Sequence, residues 1–356
     1  MKIFFKIFFS NFLILLLLLL TIELFFGYWF DSNSFGPYMR EHRMKKVLYS
    51  LKHNNENYNF EYKRNYHGFR GKEIKPSSIK ALFIGGSTAD ERYKPEEFTI
   101  TEYLNKKLFN ENIDIQIINA GIEGQSTIGH LNNFIDWFPK LKNFSPKYII
   151  FYVGINDAAV SISKKNDKTD GFVLNSNKIE ILKDNLKSRS LLYDLLRKIK
   201  HKYYKSDEIK RVVYDFDYMM SKKRDDKFNY LNFEQKLRFY NIEDLLDKHK
   251  NRIDHYLGNI DKLDIYSRSI GAIPIFINQE VYDHEPSEKE KLFILNRSLI
   301  KHCLNKDYKC IDLARKINGK KEYWWDGVHT TIPGSKIIAD IIYLDLVKYF
   351  YKLIQS

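Results

Sequence analysis

Cysteine is scarce in this 356-residue chain: only Cys303 and Cys310 occur, seven residues apart and without a Cys-x-x-Cys pair. That spacing argues against a zinc site. A single disulfide, formed if the domain lies outside the cytoplasm, and a buried pair of thiols both stay open. The chain also lacks a phosphate-binding glycine loop, a His-Glu-x-x-His pair and any cluster with metal-ligand spacing, so neither a metal nor another cofactor is expected. No run of basic residues alternates with aromatics. The net charge of +13, from 58 Lys and Arg against 45 Asp and Glu, therefore reads as compositional bias, and nucleic acid is not an expected partner. There is no internal repeat.

What is present is apolar enough for a sizeable core, at 44% hydrophobic and 15% aromatic residues. One domain, or one domain with an insertion, is expected. Phe12 to Phe30 is a 19-residue apolar stretch whose only charge is Glu23. As a helix it would roughly match a ~30 Å hydrocarbon layer, with Tyr28 and Trp29 where an interfacial aromatic belt belongs. Lys2 and Lys6 before it would suit a signal peptide equally well. No small-x-small cleavage site follows, however, and an uncleaved anchor over 1–30 is the favoured reading. Arg40, Arg43, Lys45 and Lys46 blunt the positive-inside argument, yet a long domain behind a signal-like start points to an extracytoplasmic catalytic domain on a single-pass anchor.

Residues 31–75 read as a stalk and lead-in, with a polar, Asn-rich stretch from Lys52 to Arg64. From residue 76 to 356 short apolar runs alternate with amphipathic ones, the pattern of an α/β fold. Strands are predicted at Lys80–Ile84, Asp114–Ile118, Tyr148–Val153, Ala272–Ile277 and Lys309–Leu313. Helices are predicted at Ile100–Asn110, Thr127–Leu141, Glu288–Leu304 and Pro333–Leu353, the last with Pro333 in its first turn. Residues 161–271 interrupt the alternation as a helical insertion, chiefly Ile181–Tyr203 and Phe233–Ser269. With 25 basic and 18 acidic residues, the insertion is read first as solvated helices and second as a cap or a face toward membrane or glycan.

The first strand of the domain runs into Gly85-Gly86-Ser87-Thr88, which places Ser87 at the carboxyl edge of the sheet, where open α/β folds bind ligands. Alone, such a turn is a weak signal, since a Ser at a helix start is commonly a cap. The next two strands end in Gly124 and in Gly154-Ile155-Asn156-Asp157. Just before the last helix stands Trp325-Asp326-Gly327-Val328-His329, where Asp and His three apart on a loop can both serve a serine at a neighbouring strand end.

Ser87, Gly124, Asn156 and the Asp326/His329 pair resemble, in order and strand context, the four blocks of the SGNH, or GDSL-type, hydrolase superfamily. The upstream Asn65-Tyr66-His67-Gly68-Phe69-Arg70-Gly71 is similar to a segment preceding the domain in membrane-associated members. Gly86 and Thr88 replace the Asp and Leu of the family's name, which marks a subfamily, because neither supplies the nucleophile. The resemblance implies a three-layer α/β/α, flavodoxin-like fold with a five-stranded, mostly parallel sheet. It implies a Ser87-His329-Asp326 triad and an oxyanion hole of the Ser87 and Gly124 amides with the Asn156 side chain. The Gly-x-Ser-x-Gly elbow of α/β-hydrolases is the competing fold; it is disfavoured because Ser87 follows the first strand and Asp and His share one loop. Gln279, at the end of the fourth strand, and Trp325 are weaker candidates for substrate contact, with buried anchoring the stronger reading for Trp325.

The expected function is removal of acyl groups, acetyl foremost, from a cell-envelope glycan or other O-acylated carbohydrate. The alternatives are acyl transfer to a polysaccharide by the same triad, a lipid esterase or thioesterase, and a non-catalytic glycan-binding protein on the same fold.

Overall fold

The computed structural model describes residues 2–30, 35, 39, 42–159, 178–203, 211–221, 242–281, 286–317 and 320–351. Its strands are β1 (Lys46–His53), β2 (Glu56–Lys63), β3 (Ala81–Gly85), β4 (Ile117–Asn119), β5 (Tyr148–Tyr152), β6 (Arg211–Asp215), β7 (Ile273–Ile277) and β8 (Lys309–Ile311). The helices are α1 (Lys2–Phe26), α2 (Ser87–Asp90), α3 (Ile100–Asn110), α4 (Thr127–Asn132), α5 (Ile155–Ala159), α6 (Lys178–Arg189), α7 (Leu191–Tyr203), α8 (Phe216–Ser221), α9 (Ile242–Lys248), α10 (Lys250–Ser269), α11 (Pro286–Lys306), α12 (Leu313–Lys316) and α13 (Ile332–Tyr351).

Five parallel strands form the main sheet in the order β4-β3-β5-β7-β8. These strands are apolar at nearly every position because both faces are covered. Successive side chains of a strand point to opposite faces. Leu82, Ile84, Ile149, Phe151 and Phe276 share one buried cluster with Ile253, Ile260 and Leu263 of α10 and Leu295 and Leu299 of α11. Phe83, Ile150, Tyr152, Ile275 and Ile277 share the other with Leu104 and Leu108 of α3 and Ile338, Ile342 and Leu346 of α13. Each fully buried Leu, Ile or Phe contributes roughly 1.5–3 kcal/mol relative to exposure. The result is three layers in a flavodoxin-like strand order, whose direction of winding reverses between β3 and β5.

The five expected strands and the four expected domain helices all form, with shifted ends. The stretch predicted as one helix, Thr127–Leu141, changes winding after α4: residues Asn133–Trp137 make a wider turn and Phe138–Lys140 a tighter one. Pro139 cannot continue an α-helix, and the change buries Trp137, whose Nε1 donates to the His67 carbonyl at 2.8 Å.

Two expectations need correction. The Asn-rich stretch Lys52–Arg64 is no extended stalk: β1 and β2 pair antiparallel across it through Asn54 and Asn55, both left-handed (φ 52° and 60°). Asn tolerates that conformation, which a two-residue hairpin turn requires. The insertion is not wholly helical either, for β6 lies parallel to β1 and completes a second, three-stranded sheet in the order β2-β1-β6. Of the helix predicted at Phe233–Ser269, residues 233–241 lie outside the described residues, and the remainder forms α9 and α10. Cys303 and Cys310 form a disulfide joining α11 to β8.

At the end of β7, Glu280 is buried, and burial pushes its carboxyl up to about 8. Between the ordinary carboxylate range and about 8, the folded protein holds a proton that the unfolded chain has released, so stability falls as pH rises through that window. Glu280→Gln is expected to flatten this decline in a series of thermal melts from about pH 5 to about pH 9. An unchanged slope would assign it to other groups.

Candidate active site

Ser87 opens α2 directly after β3, at the carboxyl edge of the sheet and beside the point where the winding reverses. Gly86 is required by close approach: a Cβ there would lie 2.1 Å from Asn156 Nδ2, so a side chain would displace the Asn156 amide from beside the serine turn. The Ser87 hydroxyl lies 2.8 Å from His329 Nε2, and His329 Nδ1 lies 2.6 Å from Asp326 Oδ2. Neutral imidazole with its proton on Nδ1 satisfies both contacts, donating to the carboxylate and accepting from the hydroxyl.

The Asp326–His329 loop is built to hold that spacing. Asp326 Oδ1 accepts from the backbone N–H groups of His329 (2.8 Å) and Val328 (3.0 Å), and Trp325 N–H donates to the His329 carbonyl at 2.7 Å. Gly327 supplies a left-handed residue (φ 94°) at the bend. Burial alone would push the Asp326 carboxyl up. The hydrogen bond and charge of His329, with the two backbone donors, outweigh burial and hold it down at about 2. The carboxylate is thus ionised throughout the range in which an imidazole titrates.

A buried polar cluster clamps this loop to the serine turn. Glu91, just past α2 and left-handed (φ 50°), pairs with Lys94 at 2.8 Å, both side chains being 1% exposed. Lys94 Nζ also donates to Thr330 Oγ1 at 2.8 Å and to the Thr331 carbonyl at 3.2 Å, and it meets Ser335 Oγ at the start of α13. Thr330 and Ser335 in turn donate to Glu91 Oε1. Burial lowers the Lys94 pKa to about 8, against the raising effect of Glu91. On the other side of α2, Arg64 Nη1 donates to Asp90 at 2.9 Å and to the Gly121 carbonyl at 2.7 Å, while Arg70 donates to the Asp90 and Lys94 carbonyls.

Gly124 is exposed with φ 78°, and its neighbour Gln125 is locked by paired amide contacts with Asn133 at 3.0 Å. The Gln125 carbonyl accepts one Asn156 Nδ2 hydrogen at 2.7 Å, and a primary amide carries a second. Asp157 Oδ1 accepts from both the N–H (3.0 Å) and the hydroxyl (2.5 Å) of Thr127, tying the β4 and β5 ends together. Ser87, Gly124, Asn156, Asp326 and His329 thus come from three strand ends and one loop at the same sheet edge.

Gln279 and Trp325 do not belong on its surface. Gln279 is 2% exposed; its Nε2 donates to Thr88 Oγ1 at 2.7 Å and its Oε1 accepts from Ile155 N–H at 2.9 Å, so it braces the β3 and β5 ends from beneath. Trp325 is also 2% exposed and stacks on Phe216 of α8 at 5.1 Å. Sequence reasoning missed Tyr93, whose ring packs edge-on against His329 at 4.9 Å within the aromatic cluster of the small sheet. It also missed Glu91 and Lys94, which only the fold brings to the His329 loop.

A doubly wound sheet carrying hydroxyl, imidazole and carboxylate in hydrogen-bonded series at its edge has the parts of a serine-type ester hydrolase. Residues 81–342 match the GDSL-like Lipase/Acylhydrolase family, and the chain belongs to that family of ester-bond hydrolases. A comparison against curated protein sequences returned no match. Among solved structures, the chain is similar to the psychrotrophic esterase EstA from Pseudoalteromonas sp. (13% identity, 77% of this chain and 100% of that one, TM-score 0.43). It is also similar to a catalytic mutant of Axe2, an acetylxylan esterase from Geobacillus stearothermophilus (14% identity, 77% and 96%, TM-score 0.41). A third likeness is to a putative lipolytic protein of the G-D-S-L family from Desulfitobacterium hafniense DCB-2 (11% identity, 75% and 99%, TM-score 0.41).

Removing one member of a buried ion pair strands the other, typically at about 3–5 kcal/mol. Lys94→Met is expected to lower stability by that order in urea unfolding. A loss under about 1 kcal/mol, the range of exposed pairs, would show that the pair does not clamp the loop.

Proposed function

We propose that Ser87, His329 and Asp326 carry out ester hydrolysis on an O-acylated glycan of the cell envelope, with acetyl as the expected acyl group. The observation that carries the chemistry is the unbroken series from the Ser87 hydroxyl through the imidazole to the Asp326 carboxylate. Ser87 Oγ attacks the ester carbonyl as His329 Nε2 takes its proton, and the imidazolium that forms is stabilised by Asp326. The tetrahedral oxyanion receives hydrogen bonds from the amides of Ser87 and Gly124 and from the second Asn156 Nδ2 hydrogen. On collapse the carbon–oxygen bond to the alcohol breaks and the alcohol leaves with the His329 proton. Water, deprotonated by the same nitrogen, then attacks the acyl-enzyme, releases the carboxylic acid and restores Ser87.

In this reading residues 1–30 are the membrane anchor, 31–75 the lead-in and 76–356 the hydrolase domain, with 161–271 inserted. Support for the anchor is α1, whose residues Ile3–Phe26 are long and apolar enough to cross a bilayer and have none of their length buried in the domain. A disulfide between the only two cysteines suits an oxidising compartment, hence the extracytoplasmic side. A hydrated, hydroxyl-rich substrate is favoured by the charged pair Arg92 and Glu123, which adjoin Tyr93 and Gly124 at the site.

With p-nitrophenyl acetate and the full chain in detergent, Asp326→Asn is expected to reduce kcat by about 10⁴-fold through the wrong imidazole tautomer. Asn156→Ala should cost about 10²–10³-fold in kcat with little change in KM. Variants that keep wild-type rates would remove these residues from the mechanism. Release of acetate from acetylated polysaccharide, and none from a long-chain acyl ester, is expected for the glycan reading; the reverse preference would replace it with a lipid substrate.

A further inference from the structure

The helix α7 is amphipathic the wrong way round for a solvated helix, and α6 beside it exposes apolar residues as well. Inward, α7 presents polar groups: Asp194 accepts from Arg43 at 3.3 Å and from the Tyr66 hydroxyl at 3.1 Å, Arg197 donates to the Arg43 carbonyl, and His201 Nδ1 lies 3.1 Å from the Met44 carbonyl. Outward, Leu195, Leu196, Ile199 and Tyr203 recur at helical spacing and are exposed, and Leu182 and Leu186 of α6 do the same. A soluble domain would turn such stripes toward its core. Beside them Lys183, Arg189, Lys198, Lys200 and Lys202 are exposed.

Their position names the partner. Glu23, the one charge in the apolar stretch of α1, accepts from Leu192 N–H in the first turn of α7 at 3.0 Å, where a carboxylate also meets the favourable end of the helix dipole. Five residues on, Tyr28 N–H donates to the Arg189 carbonyl at the end of α6, at 2.8 Å. The junction of α6 and α7 is therefore fastened to the last turn of α1 and the residues after it, the level at which a spanning helix leaves the hydrocarbon.

We infer that α6 and α7 form a membrane-contact surface that rests in the headgroup region of a bilayer containing anionic lipid, with Leu182, Leu186, Leu195, Leu196, Ile199 and Tyr203 entering the acyl boundary and the flanking Lys and Arg meeting lipid phosphates. Apolar residues beside a basic face are the chemistry of interfacial helices. The contact fixes the tilt of the hydrolase domain, because α7 grips Arg43, Met44 and Tyr66, and the adjoining Arg64 and Arg70 seat beneath the Ser87 turn. This inference rests on α1 being the membrane anchor.

The test uses the full chain, at about one copy per vesicle, in vesicles of phosphatidylcholine and phosphatidylglycerol, with single nitroxide labels on Leu196→Cys, Leu16→Cys or Phe109→Cys and the native disulfide kept oxidised. Phe109 is an exposed position on α3. The Leu196 label is expected to show an oxygen-to-nickel accessibility ratio several-fold above that of the Phe109 label, and to lose part of that excess when phosphatidylglycerol is omitted. A Leu196 ratio equal to that of Phe109 overturns the inference, as does dipolar broadening that marks a second copy of the chain on this face. The Leu16 label reads the anchor separately: deep in hydrocarbon while Leu196 is aqueous, it leaves the anchor standing and sinks only the surface contact.

Discussion

A 2.8 Å hydrogen bond between Ser87 and His329 joins residues 242 positions apart, and the buried Glu91–Lys94 pair is the constraint that holds their two segments in register. Glu91 continues the turn that begins at Ser87, and Lys94 reaches Thr330, Thr331 and Ser335 immediately after His329. Two opposite charges withdrawn from water are tolerable only when every donor and acceptor is engaged, and here hydroxyls and a carbonyl complete the set. The cost of burial thereby becomes geometric specificity, since a loop displaced from the clamp would leave charge unsatisfied.

The same logic extends outward. Arg64 and Arg70, from the segment that precedes the sheet, donate to carbonyls and a carboxylate around α2. One of these partners, the Asp90 carbonyl, is a helix-end group that a four-residue helix cannot satisfy alone. The segment before the sheet therefore helps seat the Ser87 turn, and the small sheet β2-β1-β6 places Tyr93, Phe216 and Trp325 in one aromatic cluster against the His329 loop. The apolar N-terminal helix, the lead-in and the described parts of the insertion, separate in sequence, meet through Glu23 and Leu192, Arg43 and Asp194, and the pairing of β1 with β6.

Much of this was legible in sequence where local chemistry repeats a local rule. Short apolar runs marked all five strands of the main sheet, and the run from the first of them into Gly85-Gly86-Ser87 marked the serine at its carboxyl edge. Asp326 and His329 were readable as a pair because their contact spans three residues. Glu91, Lys94 and Gln279 were not, because a buried charge or amide looks like a surface one until its distant partners are known. The hairpin at Asn54-Asn55 was hidden by composition, as its polar strands expose one face and resemble a stalk. Glu23 was visible only as a blemish in an apolar run, and its purpose lies 169 positions away at Leu192.

The central claim is that Ser87 is the nucleophile, activated through His329. Intact-mass and peptide mapping of the full chain after exposure to a fluorophosphonate tests it most directly. One adduct per chain is predicted, carried by the peptide containing Ser87, lost on prior unfolding and strongly slowed in His329→Ala. An adduct on another residue, or equal labelling of Ser87→Ala, would contradict the account.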